Sequence, residues 1–176
     1  MLKLLLFIVI AGALIYLLFK LFLYLYRPFF LAKTFRKIDQ MYNRLLTNAD
    51  KTIDEWIEGL EAWRSDEVAA RIAYHSEDEL IKNLNDAKED KTHEEEVYGK
   101  FLRCRERFVY DPEKLSESIV TYQRYLNVRL KQIVDAPMIA KALEIQVMSF
   151  DEMLSQQNET MIVLEESERK LDMLLT

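Results

Sequence analysis

Three glycines, three prolines, one cysteine and two histidines are all that 176 residues contain. Each shortage excludes something. A sheet protein of this size needs many tight turns, and turns draw on Gly and Pro. With so few of either, the chain is expected to be all-α. Gly12 stands in an apolar run, and Gly59 and Gly99 stand alone in helical patterns, so no Gly-rich phosphate loop can form. Cys104 has no partner for an intramolecular disulfide, which agrees with a reducing compartment.

Two histidines are too few for most metal centres. A di-iron helical bundle uses paired Glu-x-x-His, but Ile72 precedes His75 at that spacing and Asp90 precedes His93. His93 with Glu94, Glu95 and Glu96 reads as a solvated charge run. Cys104 shares an apolar face with Phe101 and Phe108 and reads as a buried, inert thiol. The expectation is therefore no catalytic residue, no metal and no cofactor.

What the chain does have is divided sharply. Residues 1–37 hold Lys3, Lys20, Arg27, Lys33, Arg36 and Lys37 and no acid, a net charge of +6. The remaining 18 Lys/Arg and all 30 Asp/Glu lie in residues 38–176, a net of −12. So acidic a body excludes a general nucleic-acid binder, which needs a basic face.

From Leu4 to Tyr26 the sequence is apolar except for Lys20. As a helix this run is about 35 Å long, enough for a hydrocarbon core of about 30 Å. Lys20 is close enough to the end to snorkel. Tyr24, Tyr26, Phe29 and Phe30 supply an aromatic belt. A cleavable signal peptide would need small residues after the run, and Tyr-Arg-Pro-Phe-Phe has none. Arg27, Lys33, Arg36 and Lys37 outweigh Lys3 and the α-amino group, so the positive-inside rule puts the body in the cytoplasm, or in the matrix of a mitochondrion. Lys20, Tyr24, Tyr26, Arg27, Lys33, Arg36 and Lys37 are the candidate membrane-interface residues. Pro28 is expected to kink or break the helix. Residues 29–38 could then lie along the interface.

The expected plan is an anchor over 1–28, a basic amphipathic helix over 29–50, and a cytoplasmic antiparallel bundle over 51–176 ending in a long coiled-coil-like helix. Leu31, Phe35, Ile38, Tyr42, Leu45 and Ala49 form one helical face. Thr52-Ile-Asp-Glu55 and Ser76-Glu-Asp-Glu79 both have the capping-box form, and Ser65 is a third possible cap. Residues 53–90 could be one helix or several. The polar stretch 85–96 is the expected loop. Asp111-Pro112-Glu113 and Asp135-Ala-Pro137 both read as helix starts.

From 137 to 175 one helix is expected, with Leu143, Val147, Phe150, Leu154, Gln157, Met161, Leu164, Glu168, Leu171 and Leu175 at alternating spacings of four and three. Its stripe either packs wholly into the bundle or reaches a partner. Leu154, Met161, Leu164, Leu171 and Leu175 are the candidate partner-binding residues, together with the basic set Lys100, Arg103 and Arg107. Trp56 and Trp63, seven apart, are expected in the core.

The layout resembles membrane-anchored bacterial helical organisers and accessory subunits of membrane complexes, with no residue motif carrying the likeness. The function expected is a scaffold or adaptor at the cytoplasmic membrane face. The alternative is an accessory subunit embedded in a multi-span complex. The expected partners are the lipid bilayer and other proteins, including a second copy of the chain through its last helix.

Overall fold

The computed structural model describes residues 2–65, 70–71, 76–144 and 149–176. Among these there are four long helices and no strand: α1 (Leu2–Arg64), α2 (Glu77–Arg107), α3 (Pro112–Glu144) and α4 (Phe150–Leu175). The chain divides into two compact units, Met1–Gln40 and Met41–Thr176.

The first unit is the N-terminal part of α1. Its described apolar side chains up to Phe30 are exposed, among them Leu14, Leu17, Leu21 and Phe22. Tyr26 stacks on Phe22 at 5.1 Å and meets Phe29 edge-on at 5.7 Å, the contacts that helical spacings of four and three allow. The helix is not broken at Pro28. Proline deletes one N–H and costs an isolated helix about 3 kcal/mol. Here that loss sits among strong helix formers many turns from either end of α1.

The second unit is a bundle. Within it α4 packs on both α2 and α3, and α2 packs on α3. The core is built from stripes at helical spacing. Val97, Phe101, Cys104 and Phe108 on α2 are all buried, as are Leu115, Ile119, Tyr122 and Leu126 on α3. From α1 come Tyr42 and Leu45. Trp56 and Trp63 are only half-buried.

Helix boundaries follow capping chemistry, with several departures from expectation. Ser76 caps α2, its hydroxyl accepting from the Glu79 N–H at 3.2 Å. Asp111 caps α3 by accepting from the Lys114 N–H at 3.1 Å, with Pro112 in the first position. Thr52 has the same four-residue signature but lies inside α1, where its hydroxyl donates back to the Asn48 carbonyl at 3.0 Å. Ser65 follows the last turn of α1, where its hydroxyl donates to the Ala62 carbonyl at 2.8 Å; a helix start there would fall on residues 66–69, which lie outside those described.

The expected loop at 85–96 is continuous helix within α2. Its polarity is that of a solvated face, and its Ala, Lys and Glu residues are good helix formers. The Asp135-Ala-Pro137 signal does not start a helix, because α3 runs on to Glu144. The expected single helix over 137–175 is divided, and α4 starts after Ser149 in a full capping box with Glu152. Leu143 and Val147 lie outside the side chains described, as does Phe150.

Caps and look-alikes should separate in stability. Ser76→Ala is expected to cost about 1 kcal/mol. Thr52→Ala should be neutral or slightly stabilising, since alanine is the better helix former. Chemical denaturation of the detergent-solubilised chain, followed by far-UV circular dichroism, measures both. Equal losses would place a helix start at Thr52.

Candidate functional site

The centre of the bundle holds a charge. Glu94 on α2 is 2% exposed. A carboxylate that deep is costly unless hydrogen-bonded and paired. Both requirements are met from α3. The Tyr125 hydroxyl donates to one carboxylate oxygen at 3.0 Å, and the Arg129 guanidinium Nε donates to the other. A second guanidinium nitrogen of Arg129 donates to the Gln132 side-chain carbonyl at 3.0 Å. Burial alone would lower the Arg129 pKa; the facing Glu94 charge and hydrogen bond more than reverse this, and it is raised.

Aromatic rings line the approach to this pair. Tyr42 of α1 stacks on Tyr98 of α2 with centroids 3.8 Å apart. Phe101 stacks on Tyr122 at 4.6 Å, and Tyr122 lies 6.0 Å from Tyr125. Burial, then the nearby Glu94 charge, pushes both the Tyr122 and Tyr125 phenols well above the ordinary range, so both stay neutral. Tyr122 is fully buried, and its hydroxyl has no hydrogen-bond partner among the described residues. The cluster is sealed and its acid is neutralised by a fixed cation. This arrangement ties α2 to α3 in one register. Among the described residues, no group of three or more His, Cys, Asp or Glu side chains could hold a metal. No protein-family model, curated protein or solved structure matches the chain.

The candidate basic set is largely engaged by α4. Lys100 pairs with Asp172 at 2.9 Å. Arg107 donates to the Leu175 carbonyl, and its guanidinium lies 5.7 Å from the Phe108 ring centroid. Arg103 is exposed. Cys104, between Lys100 and Arg107 on the same face, is fully buried with its thiol 3.9 Å from the Leu171 carbonyl; burial raises its pKa. His93 is exposed, as expected of a solvated charge run, and its Nε2 also lies 3.0 Å from a Glu168 carboxylate oxygen of α4. That contact explains a glutamate at a core-type position. His75 lies outside the described residues.

The candidate stripe on α4 divides in two. Leu164 and Leu171 are buried in the bundle, and Leu175 is half-buried. Leu154 and Met161 are exposed, at 38% and 49%, with Ile162 beside them at 55%. Gln157 is exposed too. Ser167 of α4 is buried, and its hydroxyl donates back to the Val163 carbonyl at 2.8 Å.

Of the candidate interface residues on α1, Lys20, Tyr26, Arg27, Lys33, Arg36 and Lys37 are exposed, and the Lys20 ammonium lies 5.3 Å from the centroid of the Tyr16 ring. The Tyr24 side chain lies outside those described. Glu94, Tyr125 and Arg129 were not among the expected site residues. Their signal was faint: one acid in a run of three, read as solvated, and an arginine one turn beyond a tyrosine.

Tyr122→Phe removes an unsatisfied hydroxyl and should be neutral or up to about 1 kcal/mol stabilising, whereas Tyr125→Phe strips a donor from Glu94 and should cost about 1–2 kcal/mol. Because the phenol pKa values are raised in the fold, this stabilisation is complete below the unfolded value of about 10 and is lost as pH rises above it. Phenolate absorbance from these two tyrosines should therefore appear only together with alkaline loss of helix. Separately, Leu171→Ala should cost about 3 kcal/mol and Leu154→Ala under about 1 kcal/mol, by chemical denaturation.

Proposed function

We propose that this chain is a single-pass membrane protein whose antiparallel helical bundle acts as a scaffold or adaptor on the cytoplasmic face. The observation that carries the reading is the N-terminal part of α1. By length and composition it can cross a membrane, with a window of 18 residues at mean hydropathy 1.6 and none of that window buried. Exposed Arg27, Lys33, Arg36 and Lys37 follow it, and acids begin only at Asp39. That asymmetry supports a cytoplasmic body.

Contacts within the second unit support the antiparallel arrangement. Between α1 and α2, Tyr42 meets Tyr98, Asp50 meets Lys91 at 2.6 Å, and Arg64 meets Glu77 at 2.6 Å. One number climbs as the other falls. The same holds between α3 and α4, where Glu117 pairs with Lys170 at 2.9 Å and Arg124 with Glu166 at 3.9 Å.

The mechanism is tethering. An anchor confines the bundle to the membrane plane and raises its effective concentration for anything else held there. The partner-facing surface is the outer side of α4, where Leu154, Met161 and Ile162 are exposed, and the inward Leu164 and Leu171 hold that helix in place. Arg103 remains exposed to steer an acidic partner.

A reporter fused after Thr176 that matures only in a reducing compartment should be active in cells, and the chain should stay in the membrane fraction after alkaline carbonate washing. A soluble chain, or an active reporter of the opposite compartment, would refute the reading. Replacing Arg27, Lys33, Arg36 and Lys37 with Gln should lower the fraction in the expected orientation.

A further inference from the structure

Resting on the membrane-anchored reading, we propose that the α2–α3 turn is a second membrane contact: an interfacial foot that sets the bundle against anionic lipid headgroups. The bundle unit begins at Met41, and one residue later Tyr42 is level with Tyr98 of α2. Moving along α2 past Tyr98 runs opposite to moving along α1 from Tyr42 towards Asp50 and Lys91. The last nine residues of α2 therefore extend about 14 Å beyond that level, on the side at which the chain enters the unit. Lys33, nine residues before Tyr42 in the sequence, belongs to the basic flank of the proposed anchor.

What stands at this end suits an interface. Tyr110 is 97% exposed and Val109 is 55% exposed, adjacent in the turn that joins α2 to α3. An amphipathic tyrosine with an aliphatic neighbour is a pairing that headgroup regions favour. The last turn of α4 reaches the same end through the Leu175 carbonyl held by Arg107, and it presents Met173, 67% exposed.

Four basic residues, Arg103, Arg105, Arg107 and Lys114, lie in the stretch 103–114 that forms this end. Arg103 is exposed, and Lys114 and Arg107 lie 5.4 Å and 5.7 Å from the centroid of the Phe108 ring. Phe108 itself is buried, so it braces the two cations at the edge of the turn. Glu106, Asp111 and Glu113 share the stretch, with Asp111 accepting from the Lys114 N–H as the cap of α3. The electrostatic attraction is thus modest, and Tyr110 and Val109 supply the contact that the cations orient.

The test uses the full chain, labelled with an environment-sensitive fluorophore at Tyr110→Cys, at Asp78→Cys on the far end of α2, and at Leu14→Cys in the apolar run. Cys104 is buried, and the unsubstituted chain gives the labelling background. Tyr110 touches no core residue by exposure, and circular dichroism of each variant checks the fold. Each is reconstituted into phosphatidylcholine vesicles with or without phosphatidylglycerol, containing a quencher spin-labelled near the headgroup or deep in the acyl chain. The expected result is shallow quenching at 110, at least about twofold stronger with phosphatidylglycerol and weakened by salt, with none at 78 and deep quenching at 14. Quenching at 14 with 110 as unquenched as 78 overturns the foot and leaves the anchor standing. No quenching at 14 overturns the anchor, and the foot with it.

Discussion

A carboxylate sealed inside a helical bundle cannot be left to find its own partners, and Glu94 organises the bundle around that constraint. Its two donors, Tyr125 and Arg129, lie four residues apart on α3, so only one axial register of α2 against α3 satisfies both oxygens. Once that register is set, Phe101 falls on Tyr122 and Tyr98 is presented to Tyr42 of α1. Leu171 of α4 then closes over Cys104. A slide by one helical turn would separate the buried anion from the paired donors that hold both of its oxygens. The charge thus works against alternative packings more than it adds to stability.

The peripheral ion pairs act differently. Lys91 with Asp50, Arg64 with Glu77 and Lys170 with Glu117 are largely exposed, and each contributes little in water. The Asp50 hydrogen bond raises the Lys91 pKa, but a surface pair of this kind is weakened by salt. Their value lies in their number and their agreement on one arrangement of helices.

Much of the fold was legible because it is periodic. The stripes Val97–Phe101–Cys104–Phe108 and Leu115–Ile119–Tyr122–Leu126 needed only spacing to be read, and both are buried. Punctuation was harder. Thr52 and Ser76 offer the same signature, and what separates them is whether the preceding chain has somewhere else to go. Residues 85–96 read as a loop because they are so polar, whereas they are helix with a mostly solvated face and one acid, Glu94, turned inward. Ser149 and Glu152 formed a legible capping box that the run of fours and threes across 137–175 concealed. The buried site was nearly invisible, since Glu94 differs from Glu95 and Glu96 only in the direction it faces, and that direction depends on an arginine thirty-five residues away.

The lone thiol has a use that its chemistry does not suggest. Cys104 is fully covered where α2 meets α4, and burial keeps it in its unreactive protonated form. A modifying reagent meets it only when α4 lifts away. Its labelling rate in the folded chain is therefore a clock for a single event, the opening of the last helix, and anything that seats on α4 would slow that clock without touching the sulfur.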